Sequence, residues 1–231
     1  MVTFAEKIIS FCLDLEFNGS LPEGISVMNP FRNNPDVITA VSEFYRKFYS
    51  DNNGRHLILG INPGRFGAGI TGIPFTDTIR LFDKCGLTIP SLKSYETSSA
   101  FIYEMIDRYG GPFNFYRDYY ISSVCPLGFT ATGHKGREVN YNYYDSKMLA
   151  DAITDFAVSS LQKQIGWGID TDICYCLGTG KNYRFLSHLN DKHKFFLRIE
   201  PLEHPRYIMQ YKLKEKDFYI ADYIRKLRQD V

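Results

Sequence analysis

His56-Leu57-Ile58-Leu59-Gly60-Ile61-Asn62-Pro63-Gly64-Arg65-Phe66-Gly67, continued by Ile70-Thr71-Gly72-Ile73-Pro74-Phe75, is the stretch that decides the fold. Leu57 to Ile61 is a short apolar run of strand type that ends in a turn. Pro63 fixes φ and gives up a donor, while Gly64 and Gly67 permit positive φ and close backbone approach. Asn62 therefore stands at the carboxyl end of a buried strand, where open α/β sheets bind ligands. An amide, free backbone N–H groups and the ring of Phe75 lie within fourteen residues of each other, Asn62 to Phe75. That set suits a flat heterocycle with polar edges.

Outward from this stretch, strand-like runs alternate with helical periods. Strands are expected at 57–61, 119–124, 173–177 and 195–199. Helices are expected at Thr3–Leu15, Pro35–Tyr49, Asp77–Lys84, Ser98–Tyr109, Tyr144–Gln164, from Gly180 to about Leu189, and Lys214–Arg228. Residues 128–141, rich in Gly, Thr and Asn, read as a loop. The alternation predicts a single α/β domain over residues 1–231: a three-layer α/β/α sandwich around a four-stranded parallel sheet. Right-handed crossovers then put all four strand ends on one side. Asn62, Ser123, Gly178-Thr179-Gly180 and His204 can converge there on one cleft.

Composition narrows the function classes. The 231 residues carry a net charge of +1, with 44% apolar residues and 35 Phe and Tyr against one Trp, Trp167. A run of about 18 apolar residues, as a membrane span needs, is missing, and no basic region followed by an apolar stretch marks a signal peptide. Five scattered Cys, an odd number, read as reduced thiols of a cytoplasmic protein. Cys174-Tyr175-Cys176 lies inside a strand-like run and reads as buried core Cys rather than a metal site; no metal and no cofactor are expected. A four-Cys set for an iron–sulfur cluster is not present. From Gly178 to Val231 there are 12 Lys and Arg against 7 Asp and Glu, a local excess that phosphates respond to. Gly178-Thr179-Gly180-Lys181 is too short for a P-loop and reads as a strand-to-helix turn, with a helix N-terminus that can face a DNA phosphate. His134, His188 and His193 have no supporting pattern and read as surface or core residues.

Asn-Pro-Gly-x-Phe-Gly followed by Thr-Gly-x-Pro-Phe, with the interval from Asn62 to Phe75, resembles the first active-site motif of the single-strand-selective monofunctional uracil-DNA glycosylases, in the uracil-DNA glycosylase superfamily. A second match is Ser122-Ser123-Val124-Cys125-Pro126-Leu127, where Ser123 replaces the family's Asn. A third is Ile199-Glu200-Pro201-Leu202-Glu203-His204-Pro205, similar to the segment that delivers the catalytic His, but continued by Arg206-Tyr207 rather than Ser-Pro. The three come in family order over roughly two thirds of the chain.

The resemblance implies a DNA glycosylase working on DNA with damaged bases, uracil first. Asn62 and His204 are the implied catalytic pair: the amide positions water or holds the base edge, and a neutral imidazole donates to the departing base. Gly64, Phe66, Ala68, Phe75 and Ser123 are the implied base contacts, with Phe75 stacking on the flipped base. Arg65, Gly178, Lys181, Pro205, Arg206 and Tyr207 are the implied DNA contacts, the last three at the start of a wedge. No motif places a Lys for a Schiff base, so lyase activity is not expected. Ser123 implies a broader pocket that also takes 5-hydroxymethyluracil or xanthine. Other readings are another α/β nucleotide hydrolase and a non-catalytic nucleic-acid-binding adaptor. A monomer without membrane contact is expected.

Overall fold

The computed structural model describes residues 2–133 and 136–228; His134 lies outside them. The central strand of the main sheet is β2 (Arg55–Gly60). It pairs in parallel with β3 (Tyr119–Ser123) on one side and β6 (Ile169–Leu177) on the other, and β7 (Arg198–Leu202) pairs with β6, giving the order β3-β2-β6-β7. This is the expected four-stranded parallel sheet, flanked by helices. Leu57, Ile58 and Leu59 are buried because a strand with a neighbour on each edge and helices on both faces has no face left for water.

Helix starts follow local chemistry. Thr3 caps α1 (Phe4–Asp14) by accepting the Glu6 N–H at 3.2 Å. Asn34 caps α2 (Pro35–Phe48), with Pro35 in the first turn, where its missing N–H costs nothing. α3 (Ala68–Thr71) and α4 (Thr78–Asp83) are short; α5 (Thr97–Tyr109) and α6 (Pro112–Asp118) lead into β3. The long helix α7 (Lys147–Ile165) precedes β6, and α8 (Lys181–His193) joins β6 to β7. α9 (Pro205–Tyr211) and α10 (Lys216–Leu227) close the described chain.

Two expectations need correction. Residues 128–141 are not simply a loop: β4 (Gly128–Thr132) and β5 (Glu138–Tyr141) form a hairpin that pairs with β1 (Ile25–Met28) in a separate antiparallel sheet, order β1-β4-β5. The fourth main strand spans 198–202, not 195–199. The Phe195-Phe196 pair instead packs into the core ahead of the strand. β7 carries Pro201 because it is an edge strand, where a missing donor leaves no ladder bond broken.

The strand registers line up the site. Gly60 is opposite Ser123, and Leu177 is opposite Leu202. Asn62 and His204 thus each lie two residues past an aligned strand end. The small sheet approaches the same edge. At Gly128 a Cβ would come within 2.7 Å of the Pro63 carbonyl and 2.3 Å of Met28 Cε, so only Gly lets β4 pass this close.

At the opposite end of β2, Arg55 is 1% exposed. Its guanidinium donates to the Tyr116 carbonyl at 2.7 Å and the Asn53 carbonyl at 3.1 Å, pairs with Asp51 at 2.9 Å, and lies over the rings of Phe4 and Tyr49 at 4.9 and 4.8 Å. The Arg55→Met variant leaves the Tyr116 carbonyl unpaired and should cost roughly 2–4 kcal/mol in urea unfolding. A loss under about 1 kcal/mol, the worth of an ordinary surface pair, would contradict this role for Arg55.

Candidate active site

Beyond the aligned strand ends lies a cavity of about 450 Å³. Its lining includes Asn62, Gly64, Phe66, Ala68, Phe75, Ser123, His204, Arg206 and Tyr207. Asn62 is clamped by backbone: its Nδ2 donates to the Tyr141 and Pro63 carbonyls, each at 3.3 Å, and its Oδ1 accepts the Tyr143 N–H at 3.1 Å. The amide orientation is therefore set by its partners, and one lone pair of Oδ1 stays open.

Phe75 holds its ring in the cavity from a strained backbone, with φ +52° in the left-handed region. Buried threonines keep the turn in place. Thr71 Oγ1 donates to the Thr76 carbonyl at 2.6 Å, and Thr76 Oγ1 meets Tyr103 Oη at 3.0 Å. A Cβ on Gly60 would come within 2.8 Å of the Phe75 ring, so that Gly makes the space for it. The ring centroid sits 6.0 Å from that of His204.

His204 is the N-cap of α9. Its Nδ1 accepts the Arg206 N–H at 3.1 Å, which leaves the proton on Nε2. Burial, and then the Arg206 charge, lower its pKa from 6.5 to about 4. The side chain is a neutral imidazole at neutral pH, with one N–H left to donate.

Phe66 and Ala68 have backbone N–H groups without a protein acceptor among the described residues. They follow the tight Gly64 turn, where Gly67 and Gly69 both donate to the Gly64 carbonyl. Ser123 is 6% exposed at the end of β3, and among the described residues its hydroxyl has no protein partner. Arg65 holds the turn rather than lining the cavity: its N–H donates to Asn140 Oδ1 at 3.0 Å and its guanidinium pairs with Glu138. Gly178 stands behind His204; a Cβ there would lie 3.8 Å from His204 Cδ2. Lys181 lies over the Tyr144 ring at 5.7 Å, outside the lining. Pro205 is buried in the first turn of α9, and Tyr207 and Tyr211 present adjacent rings, 5.5 Å apart, at the mouth. The segment after His204 is thus helical, with Ile208 packed inward.

Sequence reading does not single out Glu96, Asn140, Asn142 or Tyr144, which also line the cavity. For the two Asn a signal existed: Asn140 and Asn142 are two apart, so a strand puts both on one face. Glu96 gave none, since a Glu before a helical period reads as an ordinary first-turn acid. Its carboxyl is pushed up to about 7 by burial and by Asp77, against the opposing pull of Arg206. Among the described residues, no group of three or more His, Cys, Asp or Glu could hold a metal ion. Nor is any helix among them long and apolar enough to cross a membrane.

The arrangement offers a planar ligand an aromatic face, a neutral imidazole donor, two backbone donors and an amide oxygen. The family model for the uracil DNA glycosylase superfamily matches residues 46–228. The chain belongs to that superfamily, whose members are DNA glycosylases. A crystal structure of wild-type Pedobacter heparinus SMUG2 is similar over nearly all of it: 53% identity, 99% of this chain and 98% of that one covered, TM-score 0.97. No curated protein sequence matches the chain.

The two titrating groups move in opposite senses. His204 is protonated below 6.5 when unfolded but only near 4 when folded, so stability is lost as pH falls between those values. Glu96 ionises near 4.5 when unfolded but near 7 when folded, so stability is lost as pH rises through that window. Relative to wild type, His204→Gln should gain unfolding stability from pH 6.5 to 4, and Glu96→Gln from pH 4.5 to 7. Thermal unfolding at pH 4.5, 6 and 8 reads both trends; parallel trends for the two variants would contradict these environments.

Proposed function

We propose that this chain is a monofunctional DNA glycosylase. It hydrolyses the N-glycosidic bond of uracil, and of other deaminated or oxidised bases such as 5-hydroxymethyluracil and xanthine, in base excision repair. The observation that carries this reading is the neutral, Nε2-protonated His204 in the same cavity as the backbone-clamped Asn62 and the Phe75 ring.

As the bond to C1′ breaks, positive charge builds on the sugar and negative charge on the base, chiefly at O2 of uracil. His204 Nε2–H donates to that oxygen. A matched donor already in place stabilises the developing charge without reorganisation. The open lone pair of Asn62 Oδ1 holds the water that adds to C1′. Addition of that water releases a proton, which an amide cannot take as a carboxylate would; it passes through solvent to the released base anion, so catalysis here is by positioning and electrostatics. The N–H groups of Phe66 and Ala68 meet the base carbonyls, and Phe75 stacks on the base, a contact worth about 1–3 kcal/mol.

Reaching this cavity requires flipping the nucleotide out of the stack. Arg206 and Tyr207, at the mouth, occupy the gap, Arg65 and Lys181 lie on the surrounding DNA-facing surface, and the buried Pro205 and Gly178 support His204 and the start of α9 instead of touching DNA. The reading is hydrolysis without lyase chemistry, because no matched motif places a Lys for a Schiff base. All five Cys are free and buried, which supports a cytoplasmic setting.

The test incubates oligonucleotides carrying uracil, 5-hydroxymethyluracil or xanthine with the protein and cleaves abasic sites with alkali. Wild type should release uracil and at least one bulkier base, and Asn62→Ala and His204→Ala should each lose about 10²-fold or more in rate. Ser123→Asn should narrow the range toward uracil, because a longer amide fills the room a hydroxyl leaves and demands a matched edge. No base release by wild type, or full activity in either alanine variant, would overturn the reading.

A further inference from the structure

Glu96 has a carboxyl that the mechanism above does not use. It is the N-cap residue of α5, but its side chain makes no capping bond. Instead the chain is anchored by its backbone, the Glu96 N–H donating to Asp77 Oδ2 at 2.8 Å, and the side chain turns into the cavity. Among the described residues, Oε2 is buried without a hydrogen-bond partner. A buried polar atom left unpaired costs about 1–3 kcal/mol and in a native site points to a partner that comes with the ligand. The carboxyl packs on Gly67, where a Cβ would fall 2.0 Å from Oε2. It therefore shares a wall with the free N–H groups of Phe66 and Ala68. A base whose carbonyl reaches those donors lies beside this carboxyl.

We propose that Glu96 contacts the substrate: its carboxyl, as a neutral acid, donates a hydrogen bond to a carbonyl oxygen or ring nitrogen of the base as that base departs. The proposal rests on the glycosylase reading and adds a second side-chain donor to it. The protonation state follows from charge. A carboxylate in this cavity would repel the departing anion, in a space where water screens poorly. A carboxylic acid has an O–H to offer and no charge. The proton stays on Glu96, so no proton transfer is involved.

The neighbours agree. From the α4 turn, Asp77 faces Glu96 with a carboxyl already paired to Arg80 at 3.1 Å, and it disfavours a second negative charge. From α9, Arg206 is the cation that favours it, and His204 beside it is neutral. Tyr95, Tyr207 and Tyr211 complete the titratable groups lining the cavity on this side. Balanced between burial, Asp77 and Arg206, the carboxyl titrates near 7. Both of its forms are then sampled across the ordinary working range, and the alkaline form should be the poorer catalyst.

The test measures single-turnover release of uracil from a single-stranded oligonucleotide at pH 5.5 to 9. Wild-type rates should fall above pH about 7, approaching tenfold per pH unit. Glu96→Gln keeps a donor and cannot ionise, so it should retain the low-pH rate and lose the alkaline fall. Glu96→Ala should lose about ten- to hundredfold at pH 6 and much less at pH 9. Gly67→Ala, which displaces the carboxyl without altering it, should behave like Glu96→Ala. An active wild type whose pH profile matches that of Glu96→Gln would overturn this role alone. A wild type that releases no base overturns the glycosylase reading, and this role with it.

Discussion

The side chain of Asn62 ties the molecule's two sheets together. It projects from the turn after β2, and its amide is held by the backbone at Tyr141 and Tyr143, at the end of the small antiparallel sheet. The clamp works both ways. It fixes the orientation of an amide that would otherwise rotate, and it presses the β4–β5 hairpin against the carboxyl end of the parallel sheet. Close passage at Gly128 completes the contact. Without the hairpin, the cavity would lose the wall carrying Asn140, Asn142 and Tyr144. Most of the site geometry depends on this one side-chain-to-backbone arrangement.

The cavity built on that clamp is short of charge. Burial pushes His204 and Glu96 toward their neutral forms from opposite directions. Of the described residues that line the space, Arg206 is the one Lys or Arg, and it is exposed at the mouth. On the proposed reading, the site accepts a neutral base and then stabilises its anion, for which donors with no counter-charge to overcome are well suited. The strained Phe75 backbone belongs to the same design: the buried Thr71–Thr76 bonds hold a ring in a conformation that the chain would not adopt alone.

Much of this was legible in the sequence because it depends on local pattern. Leu57–Ile61 read as a buried strand since its residues are apolar without alternation, and Asn62, Ser123 and His204 followed from their places at strand ends. What was not legible depends on distant partners. β4 and β5 are polar and Gly-containing, with Val139 exposed, so nothing in them distinguishes a hairpin from a loop until β1 supplies the pairing. The Phe195-Phe196 pair drew the fourth strand three residues early, because an apolar pair looks the same in a core turn as in a strand. Glu96 was invisible for a different reason: its partner is a cavity assembled from other parts of the chain.

The central claim is that a neutral, preoriented imidazole faces the base. Long-range ¹H–¹⁵N NMR on the His204 ring tests it most directly. The account predicts a single Nε2-protonated neutral tautomer from pH 8 down to about 5, with titration near 4. An imidazolium at pH 7, or a proton resident on Nδ1, would contradict it.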